Sequence, residues 1–405
     1  MPEKADRFGF APRCVSNHGK TPKLLRTPGV YVRSSGFSKA ISNEMPLTKD
    51  LSKEVVEHYS RADTISPDVR RMIEEDFEKA LTFLAQNKPW LPESENLRHK
   101  ALYLDLTYVI RGIFHERFRG PLVWGSNKPP LWLEALITHW HNNRATVITL
   151  NYDTLVERVA SSTYWEARST KIPTGQLYPI PLTPAAQRSR YAAGVPGGGG
   201  AAVETFRLLK LHGSTNWFYS GRTDFFGEEL FYVPCIGGVD GPFVAREGRD
   251  PEKPHWTNIG DKTALIIPPV LDKSVFFQHE SLRSLWFQAS QAIKTASRVV
   301  CMGYSLPSSD LTMAQFLKSS APSQRVPFEI VDVSPKLEHF PSVLGETPYE
   351  FKQGKADLNC VARFVVQNCI PNQKDKMYVI HMTSWKEQPA SGPPEEIKTA
   401  EKASP

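Results

Sequence analysis

Five times along this chain a short run of β-branched and apolar residues ends abruptly in small or polar residues, and that recurrence limits the folds open to it. The runs are 30–32, 147–150, 208–211, 299–302 and 327–331, and their ends fall at Ser34, Asn151, His212, Gly303 and Asp332. Each run is too short for a helix and, apart from Lys210 and Glu329, apolar on both faces, the pattern of a strand buried between helical layers. Helical periodicity is expected after each end. The units together predict an α/β fold: a doubly wound, mostly parallel, Rossmann-like sheet with inserted helical and loop segments, lined along its carboxyl edge by polar groups.

Composition narrows the class further. The 405 residues are 40% hydrophobic, enough for a sizeable core. Five cysteines, widely spread and without a CxxC pair, argue against a disulfide framework and a tetrathiolate metal site, and favour a reducing, cytoplasmic setting. No apolar run approaches a membrane span. The net charge of +6 is concentrated at the start, where residues 1–39 hold eight Lys/Arg against two Asp/Glu. The remainder is near neutral, so the charge reads as a solvated leader rather than a nucleic-acid surface, and direct nucleic-acid binding is not expected.

In order, residues 1–28 read as a disordered basic leader, 29–340 as the main domain, 341–385 as an extension packed on it, and 386–405 as a disordered Pro- and Glu-rich tail. Ser66-Pro67-Asp68 opens a predicted helix running to about 87, with Val69, Ile73, Phe77, Ala80, Leu81 and Leu84 on one side. Further helices are expected over 95–118, 130–142 and 283–296, with Trp286 in the buried stripe of the last. Residues 161–204, rich in Pro, Ser, Ala and Gly, read as a flexible insertion, either a lid or a segment without a role. The histidines at 99, 115, 139 and 141 fall on scattered faces and are taken as ordinary surface or core positions.

The candidate chemistry sits at the strand ends. Asn151 and Asp153 follow the second run directly; the plainer reading is that they cap the next helix. His212 ends the third run beside Gly213, and the Ser214-Thr215-Asn216 stretch after it has hydroxyls and an amide for binding. Ser34, Ser35, Gly36, Phe37 and Ser38 form a small-residue turn after the first run, which could bring backbone N–H groups to a phosphate, although one glycine makes a weak phosphate loop. Gly303, Tyr304 and Ser305 form the turn after the fourth run, with Ser308 or Ser309 and Asp310 starting a helix.

In this order TLNYD (149–153), KLHGS (210–214) and GYSLPSSD (303–310), with a Pro-Pro pair at 268–269 before Lys273, resemble the SIR2-like, sirtuin-related family over roughly residues 29–340. The wording is most similar to the bacterial antiphage-defence branch. The resemblance implies an NAD+ hydrolase without a metal, releasing nicotinamide and ADP-ribose. It places Asn151 at the nicotinamide ribose and attacking water, Asp153 at the ribose hydroxyls or the loop, and His212 as base on that ribose. Gly303 and Ser305 would meet the phosphates and adenosine ribose, and the Asp332 corner would lie near the adenosine. A homo-oligomer or a defence-system partner protein is implied as well. Two departures stand out: Ser34-Ser35-Gly36-Phe37-Ser38 replaces the family's Gly-Ala-Gly-x-Ser, and the four-cysteine zinc module of deacylating sirtuins is missing. The first keeps open a catalytically impaired NAD or ADP-ribose sensor or scaffold; the second disfavours a deacylase or ADP-ribosyltransferase.

Overall fold

A computed structural model describes residues 29–379 except 63–66, 119–128, 163–171, 186–203, 221–228, 237–238, 241–261, 268–278, 309, 335–337, 355–356, 373–375 and 378. The expected basic leader, the tail, most of the 161–204 insertion and the Pro-Pro pair therefore lie outside the described residues.

The chain opens with strand β1 (Val30–Arg33) and helix α1 (Ser35–Ile41), then runs through four helices, α2 (Thr48–Ala62), α3 (Pro67–Glu75), α4 (Phe77–Ala85) and α5 (Glu93–Phe118), before α6 (Leu131–Asn142). It continues with β2 (Thr146–Thr149), α7 (Leu155–Ser162), α8 (Thr174–Leu177), β3 (Thr183–Pro184), β4 (Arg207–Lys210) and β5 (Gly213–Tyr219). Then come β6 (Phe231–Tyr232), β7 (Cys235–Ile236), β8 (Val239–Asp240), β9 (Thr263–Ile266), α9 (Glu280–Lys294) and β10 (Val299–Met302). The described chain closes with α10 (Leu311–Ser319), β11 (Val326–Val331), α11 (His339–Leu344), β12 (Tyr349–Gln353) and α12 (Cys360–Asn368).

Six strands form one all-parallel sheet in the order β12-β11-β10-β1-β2-β4. Renumbered in chain order from the β4 edge this is 3-2-1-4-5-6, the order of dinucleotide-binding sheets, with the direction of winding reversed between β1 and β10. Right-handed crossovers then place α6 and α7 on one face and α9, α10 and α11 on the other. Every residue of β1, β2 and β10 is buried, as expected of central parallel strands covered on both sides. On the α6 face, Tyr31 packs on Trp140, and Phe37 meets Trp132 edge-on at 6.1 Å. A second sheet, β3-β6-β5-β9, is mostly antiparallel.

Several expectations are corrected. The helix predicted over 66–87 is two helices: Asp76 leaves the helical region at φ −156° and caps α4, its Oδ1 accepting the Lys79 N–H at 3.1 Å. A good N-cap residue inside an apolar stripe starts a new helix without disturbing the stripe's periodicity. No helix follows His212. The chain turns at Gly213, where φ is +76°, straight into β5, so the third strand end opens onto the second sheet. The expected extension after 340 supplies the sheet's own edge strand, because β12 pairs in parallel with β11. Within the expected flexible insertion, the described residues Ile172, Leu177 and Ala185 are fully buried. Trp286 is half-buried rather than part of the core stripe, which runs Leu282, Leu285, Ala289, Ala292 and Ile293. His139 and His141 hold structural hydrogen bonds to Tyr31 and Thr205, and His99 packs on Phe83.

A methyl group on Gly213 would lie 2.0 Å from the Leu265 carbonyl oxygen, in a left-handed conformation that side chains avoid. Gly213→Ala is therefore expected to destabilise the protein by about 2 kcal/mol or more, read as a lower denaturant midpoint at unchanged slope.

Candidate functional site

A cavity of about 230 Å³ opens at the carboxyl edge of the parallel sheet, above the β1–β10 crevice where the winding reverses. Its floor is made of strand ends: Ser34 and Ser35 after β1, Asn151 and Asp153 after β2, His212 after β4, and Gly303 to Ser305 after β10. Its outer wall comes from the helical excursion between α1 and α6, through Leu51 of α2, Glu78 of α4 and Phe114 of α5. The polar residues flagged in four separate stretches of sequence thus meet around one space.

The turns after β1 and β10 are joined backbone to backbone. Ser34 donates its N–H to Met302 O at 3.2 Å and Gly36 to Gly303 O at 3.0 Å. A Cβ on Gly36 would sit 2.8 Å from the Gly303 Cα, and one on Gly303, at φ +61°, would sit 2.1 Å from the Phe37 nitrogen. The stretch expected as a small-residue turn is in fact the first turn of α1, and its single glycine works with a second glycine from another strand end. This has a cost for anion binding, since the N–H of Gly36 is already engaged.

The Asn151–Asp153 turn is held from two directions. On the cavity side, Asn151 Nδ2 donates to Ser34 O at 2.8 Å and to Ser38 Oγ at 2.7 Å, while Ser38 Oγ donates in turn to Asp153 Oδ2. A hydroxyl has one hydrogen. With it committed to Asp153, Ser38 can only accept from Asn151, and this fixes which way the amide faces. Asn151 Oδ1 is left without a partner among the described residues. Asp153 Oδ1 accepts the Leu155 N–H at 3.1 Å, so the plainer capping role is filled at the same time.

Behind the turn lies a buried charge network. Lys210 Nζ donates to Glu157 Oε1 at 2.8 Å and to the Asp153 carbonyl at 2.5 Å, with both side chains fully buried. Tyr178 donates to the same Glu157 oxygen, and burial beside Glu157 pushes its phenol well up, so it remains a donor. Arg33, also fully buried, lies 4.0 Å from Asp153 Oδ1 and over the Phe37 ring, and its guanidinium nitrogens have no hydrogen-bond partner among the described residues.

Tyr304 donates to Asp310 Oδ2 at 2.9 Å, and Asp310 caps α10 by accepting the Met313 N–H. Burial, then the nearby Asp310 carboxylate, pushes the Tyr304 phenol up; burial does the same to Tyr152, which donates to Ile267 O at 2.8 Å. His212 is buried, within reach of the cavity, with its ring 6.3 Å from that of Trp286. Among the described residues the lining holds the carboxylates of Glu78, Asp153 and Asp310 and no lysine or arginine.

Of the residues marked in the sequence, Ser34, Ser35, Ser38, Asn151, Asp153, His212, Gly303, Tyr304 and Ser305 line the cavity. Four do not. Gly36 packs beneath it against Gly303, and Phe37 is fully buried against Trp132 and Trp140. Ser214 is fully buried in β5 and gives its hydroxyl to Asn216 Oδ1, because the strand that replaced the expected helix turns it into the second sheet. Asp332 accepts the Ser334 N–H outside the lining. Missed in the sequence were Glu78, Phe114, Tyr152 and Asp310 as lining and Arg33, Glu157 and Lys210 as support. A charged residue closing an otherwise apolar strand run, as in VYVR and RLLK, was the available signal for two of them.

These features define a Rossmann-like α/β protein with a polar cleft at the topological switch point. Compared with models of known families and with curated proteins, the sequence matches none.

Removing one member of a buried ion pair strands the other. Lys210→Met is expected to cost about 3–5 kcal/mol, whereas replacing Lys210 and Glu157 together by apolar residues costs much less, a contrast read from urea denaturation of the single and double variants.

Proposed function

We propose that the switch-point cleft binds NAD+ and hydrolyses its nicotinamide–ribose bond, as the SIR2-like resemblance implies, and that the protein serves as an effector of bacterial antiphage defence. The observation that carries this reading is the state of Asn151. Its amide N–H groups are committed to Ser34 and Ser38, and its lone oxygen, in a side chain lining the cavity, remains to accept a hydrogen from water. The reaction needs such a group. As the glycosidic bond breaks, its electron pair leaves with nicotinamide, the ribose C1′ develops positive charge, and a positioned water adds its oxygen there.

His212 lies beyond the neighbouring strand and is the imidazole among the described lining residues, a side-chain type suited to proton exchange near neutrality. It takes the proton released as water becomes the new ribose hydroxyl, so that NAD+ and water give nicotinamide, ADP-ribose and a proton. The carboxylates of Asp153, Glu78 and Asp310 favour the cationic nicotinamide end and the oxocarbenium-like transition state over added negative charge.

The alternative, a sensor that binds the nucleotide without turnover, draws support from the Gly36 N–H already bonded to Gly303 and from the lack of a described cationic residue in the lining. Both features weaken a pyrophosphate cradle.

Incubated with NAD+, the protein is expected to release nicotinamide, with Asn151→Ala about 10²–10³-fold slower and His212→Ala about 10²–10⁴-fold slower. Calorimetric NAD+ binding in the same samples separates the readings. Binding without release by the parent protein supports the sensor, and absence of both rejects NAD+ as the ligand.

A further inference from the structure

Helix α5 is 26 residues long, about 39 Å, and apolar on two sides. One side is in the core: Tyr103, Leu106, Val109, Ile110 and Phe114 are buried, and Phe114 reaches the cavity. The other side carries Leu97, Ala101, Leu104 and Tyr108, spaced four, three and four, which is a coiled-coil seam on a single helix. Leu97 is 57% exposed and Tyr108 67% exposed, with Ala101 exposed and Leu104 half-buried between them. A surface helix of a self-sufficient domain keeps one apolar stripe and a polar opposite face. This one has a second stripe that the described chain covers only in part, at Leu104.

We propose that this outer stripe of α5 is a self-association surface on which two copies of the chain pair antiparallel about a two-fold axis. The argument for a second copy is the pattern's complementarity to its own reversal. With the axis between residues 102 and 103, the small Ala101 faces Leu104 of the partner, Leu97 faces Tyr108, and exposed Arg98 flanks the seam opposite exposed Asp105. Two-fold symmetry makes each of these contacts twice. A parallel pair would set Ala101 on Ala101, leaving a gap, and Arg98 beside Arg98. The inference does not depend on what the cleft binds. Because α5 carries both the seam and Phe114, association through it would bear on the cavity wall.

The full-length chain is expected to sediment as a dimer in the micromolar range. Leu97→Glu and Tyr108→Glu should each raise the dissociation constant by ~30-fold or more. Arg98→Asp should weaken the dimer, and adding Asp105→Arg in the same chain should restore it. Under mild oxidation a mixture of Ala101→Cys and Leu104→Cys proteins should give a disulfide-linked heterodimer in preference to either homodimer. The substituted positions are exposed except the half-buried Leu104, and a circular-dichroism spectrum and cooperative melt like the parent's confirm that each variant folds. A parent protein that stays monomeric, or a dimer indifferent to both glutamates, overturns the proposal. So does cross-linking dominated by homodimers of the Ala101→Cys protein, which would mean a parallel pair.

Discussion

The contact of Gly36 with Gly303 is the constraint on which the rest of the cleft depends. Two βα turns from opposite windings of the sheet pass so closely that neither position tolerates a Cβ, and the Gly36 N–H to Gly303 O bond closes the crevice at its base. With the turns joined there, Ser34 and Ser38 on one side and Tyr304 and Ser305 on the other face a common space. A switch point otherwise only permits a cleft. The glycine pair sets how wide it is.

Polar strand ends are costly to keep inside a protein, and this one supports them with buried charge. The Lys210–Glu157 pair, Tyr178 and Arg33 converge on the underside of the Asn151–Asp153 turn. Ion pairs in a core contribute little net stability, because desolvation offsets their attraction. Their value is in geometry: an amide whose hydrogens are both committed presents its oxygen in one direction only. The same reasoning connects Ser38, which has no catalytic task of its own, to the orientation of Asn151.

Much of the parallel sheet was legible because central strands are apolar on both faces and end abruptly; all five marked runs became strands of it, within one residue or so at each end. The meeting of Asn151, His212 and the Gly303 turn followed from that topology. What failed was local. Asp76 broke a helix whose apolar periodicity carries on across the break, and Gly213 sent the chain into a strand where the other units turn into helices. Ser214 and Phe37 were misplaced for a related reason: they fall in a strand and a helix, where adjacent residues point in different directions, and sequence order alone does not tell which one faces the ligand. The walls contributed by Glu78 and Phe114 depend on tertiary packing of helices remote in sequence.

His212 stands two residues past the end of β4 in the parallel sheet and directly precedes β5 of the second sheet, which begins at Gly213. Asn151, by contrast, is anchored wholly within the first sheet and its turns. The imidazole is therefore a joint between two layers, and its distance from Asn151 registers any tilt of one layer against the other. A perturbation of the second sheet, through β9 or α5, has a short mechanical route to His212 through Gly213 and reaches Asn151 one residue further on, through Tyr152, which is bonded to Thr215 and Ile267.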